Sequence, residues 1–285
     1  MKELITKEKY KQVKRRLEEL HVSAWRMSTP IFPQMRLDFK VFPTERYFST
    51  VGQVWFVTPV WRGDAFAMSI LLHEGHHWNI FPVDAFRALK EVYDARRLLA
   101  QEIGFQPKVT RKSLWRIEED WSGFPYSIEE FSFVQNILGD YLVNLHIHDH
   151  YPLVWNDLWK FLYTEGTFYT KDKALERDTT FMLYLAVYPE LIPGLKEVKL
   201  IEQESKSKVP RIAYLIKECR AGRISTTYTL KELVKLFHSN IQQDLKEEAQ
   251  GMAVESDMRC PQCHSDEGWE IVEYFDEKQR KWIKL

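Results

Sequence analysis

Apolar residues recur at three- and four-residue spacing through most of this 285-residue chain, and that helical period gives way to β-forming texture in only two places. Tyr10, Val13, Leu17 and Leu20 mark one face of an amphipathic helix over Lys7–Leu20. A second helix is expected over Ala65–Trp78, with Asp64 as its N-cap, and a third from Ala85 to Ile103, where Gly104 supplies the stop. The stretch from Phe105 to Tyr126, with Pro107, Gly123 and Pro125, reads as loop. Ser127-Ile128-Glu129-Glu130 reads as a capping box, and Phe131, Val134, Leu138, Tyr141, Leu142 and Leu145 as the apolar stripe of a helix over 128–145. From Tyr151 to Gly251 the chain reads as mostly helical, punctuated by Pro152, Pro189, Pro193 and Pro210, with Thr229-x-x-Glu232 as another capping box. The β texture lies at Asp38–Trp61, read as a small hairpin or meander, and beyond Gly251, where two short strands join near Asp276–Gln279. The expected class is α+β: mainly helical, with a small sheet, a helical extension and a small C-terminal β tail.

Composition narrows the partners. Hydrophobic residues make up 45% and aromatics 14%, enough to build a core. Forty Lys+Arg against 41 Asp+Glu leave a formal charge of −1, which removes the long-range pull on phosphate that a general nucleic-acid binder needs. The start, KELITKEKYKQVKRR, lacks the apolar core of a secretory signal, and the run around Phe181–Tyr188 is too short to span a bilayer. Cys219 alone and the Cys260/Cys263 pair are too few for a disulfide framework, so a cytoplasmic, membrane-free protein is expected.

The chemistry concentrates in His73-Glu74-Gly75-His76-His77, inside the second expected helix. Residues four apart share a helix face, so both imidazoles of an H-E-x-x-H can point at one metal ion with Glu74 beside them. Neutral imidazole suits Zn²⁺, whose bound water ionises near pH ~7, and a neighbouring carboxylate can serve as general base. Gly75 fits a close approach by another element, since Gly inside a helix is otherwise unfavourable. His76 reads as a residue behind the ligands or on the surface, the surface being favoured.

A hydrolytic zinc takes three protein ligands and keeps one position open. On the capped helix, Asn136, Asp140 and Asn144 recur every four residues. Asp140, the anionic member, is the expected third ligand, with Asn136 and Asn144 placed to hold it or the neighbouring backbone. Glu129, Glu130 and the run His146-Ile147-His148-Asp149-His150 are competitors, that run being read as a polar helix exit before Pro152. One of its His, or Tyr151, is a candidate to stabilise an oxyanion.

The order of amphipathic helix, small sheet, HEGHH helix and a helix bearing the acidic ligand resembles the zincin metallopeptidases of the gluzincin-like branch. HEGHH followed by NILGDYLVN is similar to the metallopeptidase domains that accompany von Willebrand factor A proteins, and LLHEGHHW also resembles the active-site helix of regulator-cleaving peptidases paired with repressors. The resemblance covers roughly residues 1–150. It implies zinc at His73, His77 and Asp140, catalysis by Glu74, and a peptide substrate that adds to an edge strand, a role assigned to Val54–Thr58. On this reading residues 1–154 form the zincin-like domain, 155–250 a helical covering subdomain and 251–285 a tail.

Cys260-Pro261-Gln262-Cys263 has zinc-knuckle spacing, and the strands after it resemble half a zinc ribbon, giving a possible second metal site at Cys260 and Cys263. Acidic Asp266, Glu267, Glu270, Glu273, Asp276 and Glu277 offset the tail's lysines, which favours a protein partner over nucleic acid. The expected function is a zinc-dependent hydrolase acting on peptide or protein, and the alternative is a regulatory interaction protein with a structural or inactive site.

Overall fold

The computed structural model describes residues 3–28, 34–42, 46–50, 53–81, 85–112, 117–160, 179–195, 201–252, 273–276 and 281–284. Eight helices and nine short strands among them make the protein a mainly helical α+β structure. No described helix is long and apolar enough to cross a membrane. The chain divides into two compact units: Met1–Asp84, Leu142–Arg177 and Ala253–Leu285 form the first, Ala85–Tyr141 and Asp178–Met252 the second. This partition interleaves distant segments where the sequence suggests consecutive parts with breaks at 154 and 250.

In the first unit, β1 (Glu3–Leu4) precedes α1 (Lys7–Ser28). The helix outruns the expected end at Leu20 because Ala24, Trp25 and Ser28 continue its buried face. Strands β2 (Arg36–Lys40), β3 (Arg46–Thr50) and β4 (Gln53–Val57) follow, and β5 (Val60–Trp61) pairs with β1. The sheet contains the expected hairpin, β3 with β4 antiparallel, but it is not a meander: its order is β2-β4-β3, with β4 parallel to β2. That corrects the assignment of Val54–Thr58 as a substrate-pairing edge. Val54 and Phe56 are almost wholly buried, and both sides of β4 are already hydrogen-bonded, so no peptide can add there. Tyr10 of α1 stacks on Phe39 at 5.5 Å, and Tyr47 packs on Phe56 at 4.7 Å.

Helix α2 (Asp64–His77) begins at Gly63, whose φ of 97° is open to glycine alone at little cost. Asp64 is therefore inside the helix and not its cap; its carboxylate instead accepts a 2.8 Å bond from Arg16 Nε of α1. Ten of the fourteen residues of α2 are buried, so this helix is enclosed rather than half-exposed. A Cβ built on Gly75 would stand 3.0 Å from Ser28 Oγ and 3.9 Å from the Trp25 ring, so α1 lies against α2 where Gly75 leaves room.

Helix α4 (Ile128–His150) belongs to this unit from Leu142 onward. It runs beyond 145 through the His run, so the expected polar exit is a helical turn instead. Leu145 and Ile147 are buried there, and the burial offsets the cost of ordering that turn. Tyr151 N–H still donates to Ile147 O at 2.7 Å, after which α5 (Pro152–Lys160) starts with Pro in the position that needs no N–H.

In the second unit, α3 (Ala85–Glu102) ends as expected at Gly104, with φ of 74°, and Phe105 N–H donates back to Ala100 O at 2.8 Å. The segment read as loop holds a hairpin, β6 (Lys108–Lys112) with β7 (Ile117–Asp120). In register, Lys108 stands opposite Asp120 and Arg111 opposite Glu118, so the sequence of this hairpin shows little apolar alternation. The capping box of α4 forms: Ser127 N–H donates to Glu130 Oε2 at 2.6 Å and Glu130 N–H to Ser127 Oγ at 3.1 Å.

Helices α6 (Thr179–Leu191), α7 (Gln203–Arg220) and α8 (Thr226–Met252) complete this unit. Pro189 and Pro210 lie inside α6 and α7 and are not the breaks expected, each giving up one backbone donor where packing compensates. The start of α8 also differs. Ser225 Oγ accepts Tyr228 N–H at 3.1 Å, and Thr229, the expected cap, instead donates its hydroxyl to Ser225 O within the helix. Glu91 of α3 receives both Thr226 and Thr227 hydroxyls, at 2.5 and 3.0 Å, and Glu102 pairs with Lys231 and Lys235. Leu99, Phe131, Leu138, Tyr141, Leu183, Tyr188 and Phe237 form the core.

In the tail, β8 (Glu273–Asp276) and β9 (Lys281–Lys284) pair antiparallel, as the sequence predicts. Cys260 and Cys263 lie outside the described residues, as do Phe161, Tyr163, Phe168 and Tyr169 of the expected covering segment.

Candidate metal centre

Four-residue spacing on α2 brings the His73 and His77 rings to 4.7 Å between centroids, at 85° to each other. Their Nε2 atoms are 3.1 Å apart. What each Nδ1 touches determines the meaning of that approach. His77 Nδ1 is 3.2 Å from the Phe81 carbonyl, which can only accept, so His77 carries its proton on Nδ1. His73 Nδ1 likewise faces Asn144 Oδ1 at 2.9 Å and donates to it. With Nδ1 as the donor in each ring, the two Nε2 atoms face each other at 3.1 Å, and each is the nitrogen left to ligate a metal ion.

Asp140 supplies negative charge to the same place. The ligand atoms of His73, His77 and Asp140 all lie within 4.8 Å of one another, and no other group of three or more such residues meets that condition among the described residues. Asp140 and Asn144 are one turn apart on the unbroken α4, so the helix that orients His73 also carries the carboxylate. The buried flanks Leu138, Tyr141, Val143 and Leu145 hold that helix in register. Two neutral imidazoles, a carboxylate, and an oxygen acceptor behind each imidazole fit a divalent metal ion with nitrogen and oxygen preference.

Glu74 is 7% exposed, between the two histidines on α2 and three residues before His77, so it flanks the ligand face. Asn144 is fully buried, whereas Asn136, two turns earlier, is exposed and is not gathered with the group. Glu130, a competing ligand by sequence, is taken up elsewhere, bonded to Ser127 N–H, to Gln242 Nε2 at 2.9 Å and to His238 Nδ1 at 2.8 Å. Tyr151 donates its hydroxyl to Met27 O at 2.9 Å, and His148 Nδ1 meets Asp149 at 2.7 Å.

His76 is a correction. It is 2% exposed and not on the surface, packed at 4.7 Å on His146 and 5.6 Å on Tyr151. It is buried because its side of α2 turns toward α4, which periodicity on one helix cannot reveal. Burial first, then the neighbouring imidazoles of His146, His73, His150 and His77, lowers its pKa to about 3, so the ring is neutral. Sequence reasoning also missed Phe81. Its contribution is a backbone carbonyl brought under His77 by the turn at Trp78–Ile80, and no side-chain pattern signals it.

Compared with protein families, curated proteins and solved structures, the chain finds no match.

Proposed function

We propose that this protein is a zinc-dependent hydrolase of cytoplasmic type, acting on peptide or protein amide bonds, in keeping with the zincin-like pattern of its sequence. The observation that supports it most is the convergence of His73, His77 and Asp140, whose ligand atoms lie within 4.8 Å of one another, with an oxygen acceptor behind each Nδ1. Zinc, when bound, supplies Lewis acidity that polarises a carbonyl and acidifies water to about pH 7.

The chain's own residues then divide the work. His73, His77 and Asp140 would hold the ion, and a set of three protein ligands would leave room for water beside it. Asn144 and the Phe81 carbonyl keep the imidazoles in the tautomer that exposes Nε2. Glu74 takes a proton from the attacking water and delivers it to the leaving amine, shielded from bulk solvent by its burial.

Glu74→Gln tests the assignment. It keeps the shape of the side chain and removes the base, so zinc content measured by elemental analysis should stay at the wild-type level. Hydrolysis of a mixed protein substrate such as casein should fall by about 10²-fold or more. Loss of zinc in Glu74→Gln, or hydrolysis unaffected by it, contradicts the role given to Glu74. Wild-type protein that binds zinc but hydrolyses nothing favours the alternative, a regulatory interaction protein with a structural site.

A further inference from the structure

Behind the ligand face of α2, a second group of imidazoles gathers within the first unit. His76 of α2 meets His146 of α4 with ring centroids 4.7 Å apart, the same separation as between His73 and His77. His146 in turn lies 4.1 Å from His150, its neighbour one turn on, and Tyr151 closes the side, 5.6 Å from His76 and 6.3 Å from His146.

Two observations give this cluster a ligand. Both ring nitrogens of His76 are buried without a hydrogen-bond partner among the described residues, and a buried imidazole that donates and accepts nothing is costly unless something fills the role. His150 is prepared in the same way as His77: its Nδ1 is 2.9 Å from the His146 carbonyl, which can only accept, so the proton is on Nδ1 and Nε2 keeps its lone pair. Exposure of His150 and half-burial of His146 leave an entry path from solvent, and rotation of the His146 ring about χ2, with the His150 Nδ1 bond kept, would turn its nitrogens toward the same ion.

We propose that His76, His146 and His150 form a second metal site, an all-imidazole one, that takes a divalent transition ion of borderline softness such as Zn²⁺, Ni²⁺ or Cu²⁺. Three neutral nitrogen donors without a carboxylate suit such ions and disfavour Mg²⁺ and Ca²⁺, which take oxygen. The site does not depend on the hydrolase reading, because none of its ligands belongs to the His73, His77 and Asp140 group.

The test uses the full chain with the other candidate ligands removed: His73→Ala/His77→Ala/Cys260→Ser/Cys263→Ser, stripped by chelator and dialysed against Zn²⁺, with bound metal measured by elemental analysis. One equivalent should remain, and adding His146→Ala/His150→Ala should lower the affinity at least a hundredfold while circular dichroism is unchanged. Zinc absent from the fourfold variant, or retained after the two further substitutions, overturns the proposal. Should the fourfold variant not fold, wild type is compared with His146→Ala/His150→Ala alone: a fall of one equivalent supports the site and unchanged stoichiometry overturns it. Failure of the hydrolase reading shows separately, as wild-type zinc that does not respond to His73→Ala.

Discussion

Replacing Asn144 by Ala removes one acceptor from a closed environment and leaves every proposed ligand in place. Asn144 is 0% exposed, and its Oδ1 lies 2.9 Å from His73 Nδ1. Without it the Nδ1 proton has no acceptor at that position, a penalty of about 1–3 kcal/mol for a buried donor. The imidazole can escape the penalty by rotating or by moving its proton to Nε2, and either change removes the lone pair needed for metal. Partners of this kind are worth about 10–100-fold in metal affinity, or ~1.4–2.7 kcal/mol. Asn144→Asp presents an oxygen at the same place and should hold zinc within a few-fold of wild type, whereas Asn144→Ala should bind at least tenfold more weakly. Competition against a chromophoric chelator measures both, and thermal unfolding of the metal-free forms controls for the fold. A folded Asn144→Ala that binds zinc as tightly as wild type refutes the orienting role of Asn144.

Two further outcomes follow from the packing and the charge of the first unit. Gly75→Ala gains about 1 kcal/mol of helix propensity but drives a Cβ to 3.0 Å from Ser28 Oγ, an overpacking cost of about 1–3 kcal/mol, so denaturant unfolding should show a net loss of about 1 kcal/mol. Adding Ser28→Ala, which leaves the ordinary contacts of 3.7 Å to Cβ and 3.9 Å to the Trp25 ring, should recover the loss, and a Gly75→Ala protein more stable than wild type would show that α1 does not press on α2 there. His21 is 5% exposed, its Nε2 has no hydrogen-bond partner among the described residues, and burial lowers its pKa to about 4 from 6.5. The unfolded chain then binds the extra proton between pH 6.5 and 4, so this contribution is complete above pH 6.5 and is lost as pH falls toward 4. His21→Phe should flatten the fall of Tm across that window, and an equally steep fall in the variant would exclude His21 as its source.

Local chemistry made much of the architecture readable. The α1 and α4 segments announce themselves by apolar period, and Gly104 and the Ser127/Glu130 box end or start helices through bonds made within a few residues. His73 and His77 meet because a helix must place residues four apart together. Other features were illegible for the same physical reason in reverse. The parallel pairing of β2 with β4 takes its stability from contacts across the chain, so the segment reads equally well as a meander. Pro210 looks like a break until tertiary burial of Val209 and Ile212 compensates for its missing donor.

The sequence by itself thus determined which residues could ligate and which face of which helix they share, because helix geometry is set by the backbone alone. Tertiary structure decided how those residues are used. It placed Asn144 and the Phe81 carbonyl behind the two imidazoles, left Asn136 in solvent, and turned His76 inward against His146. Such choices depend on which helix faces meet, and that depends on burying the largest apolar area across the whole chain at once.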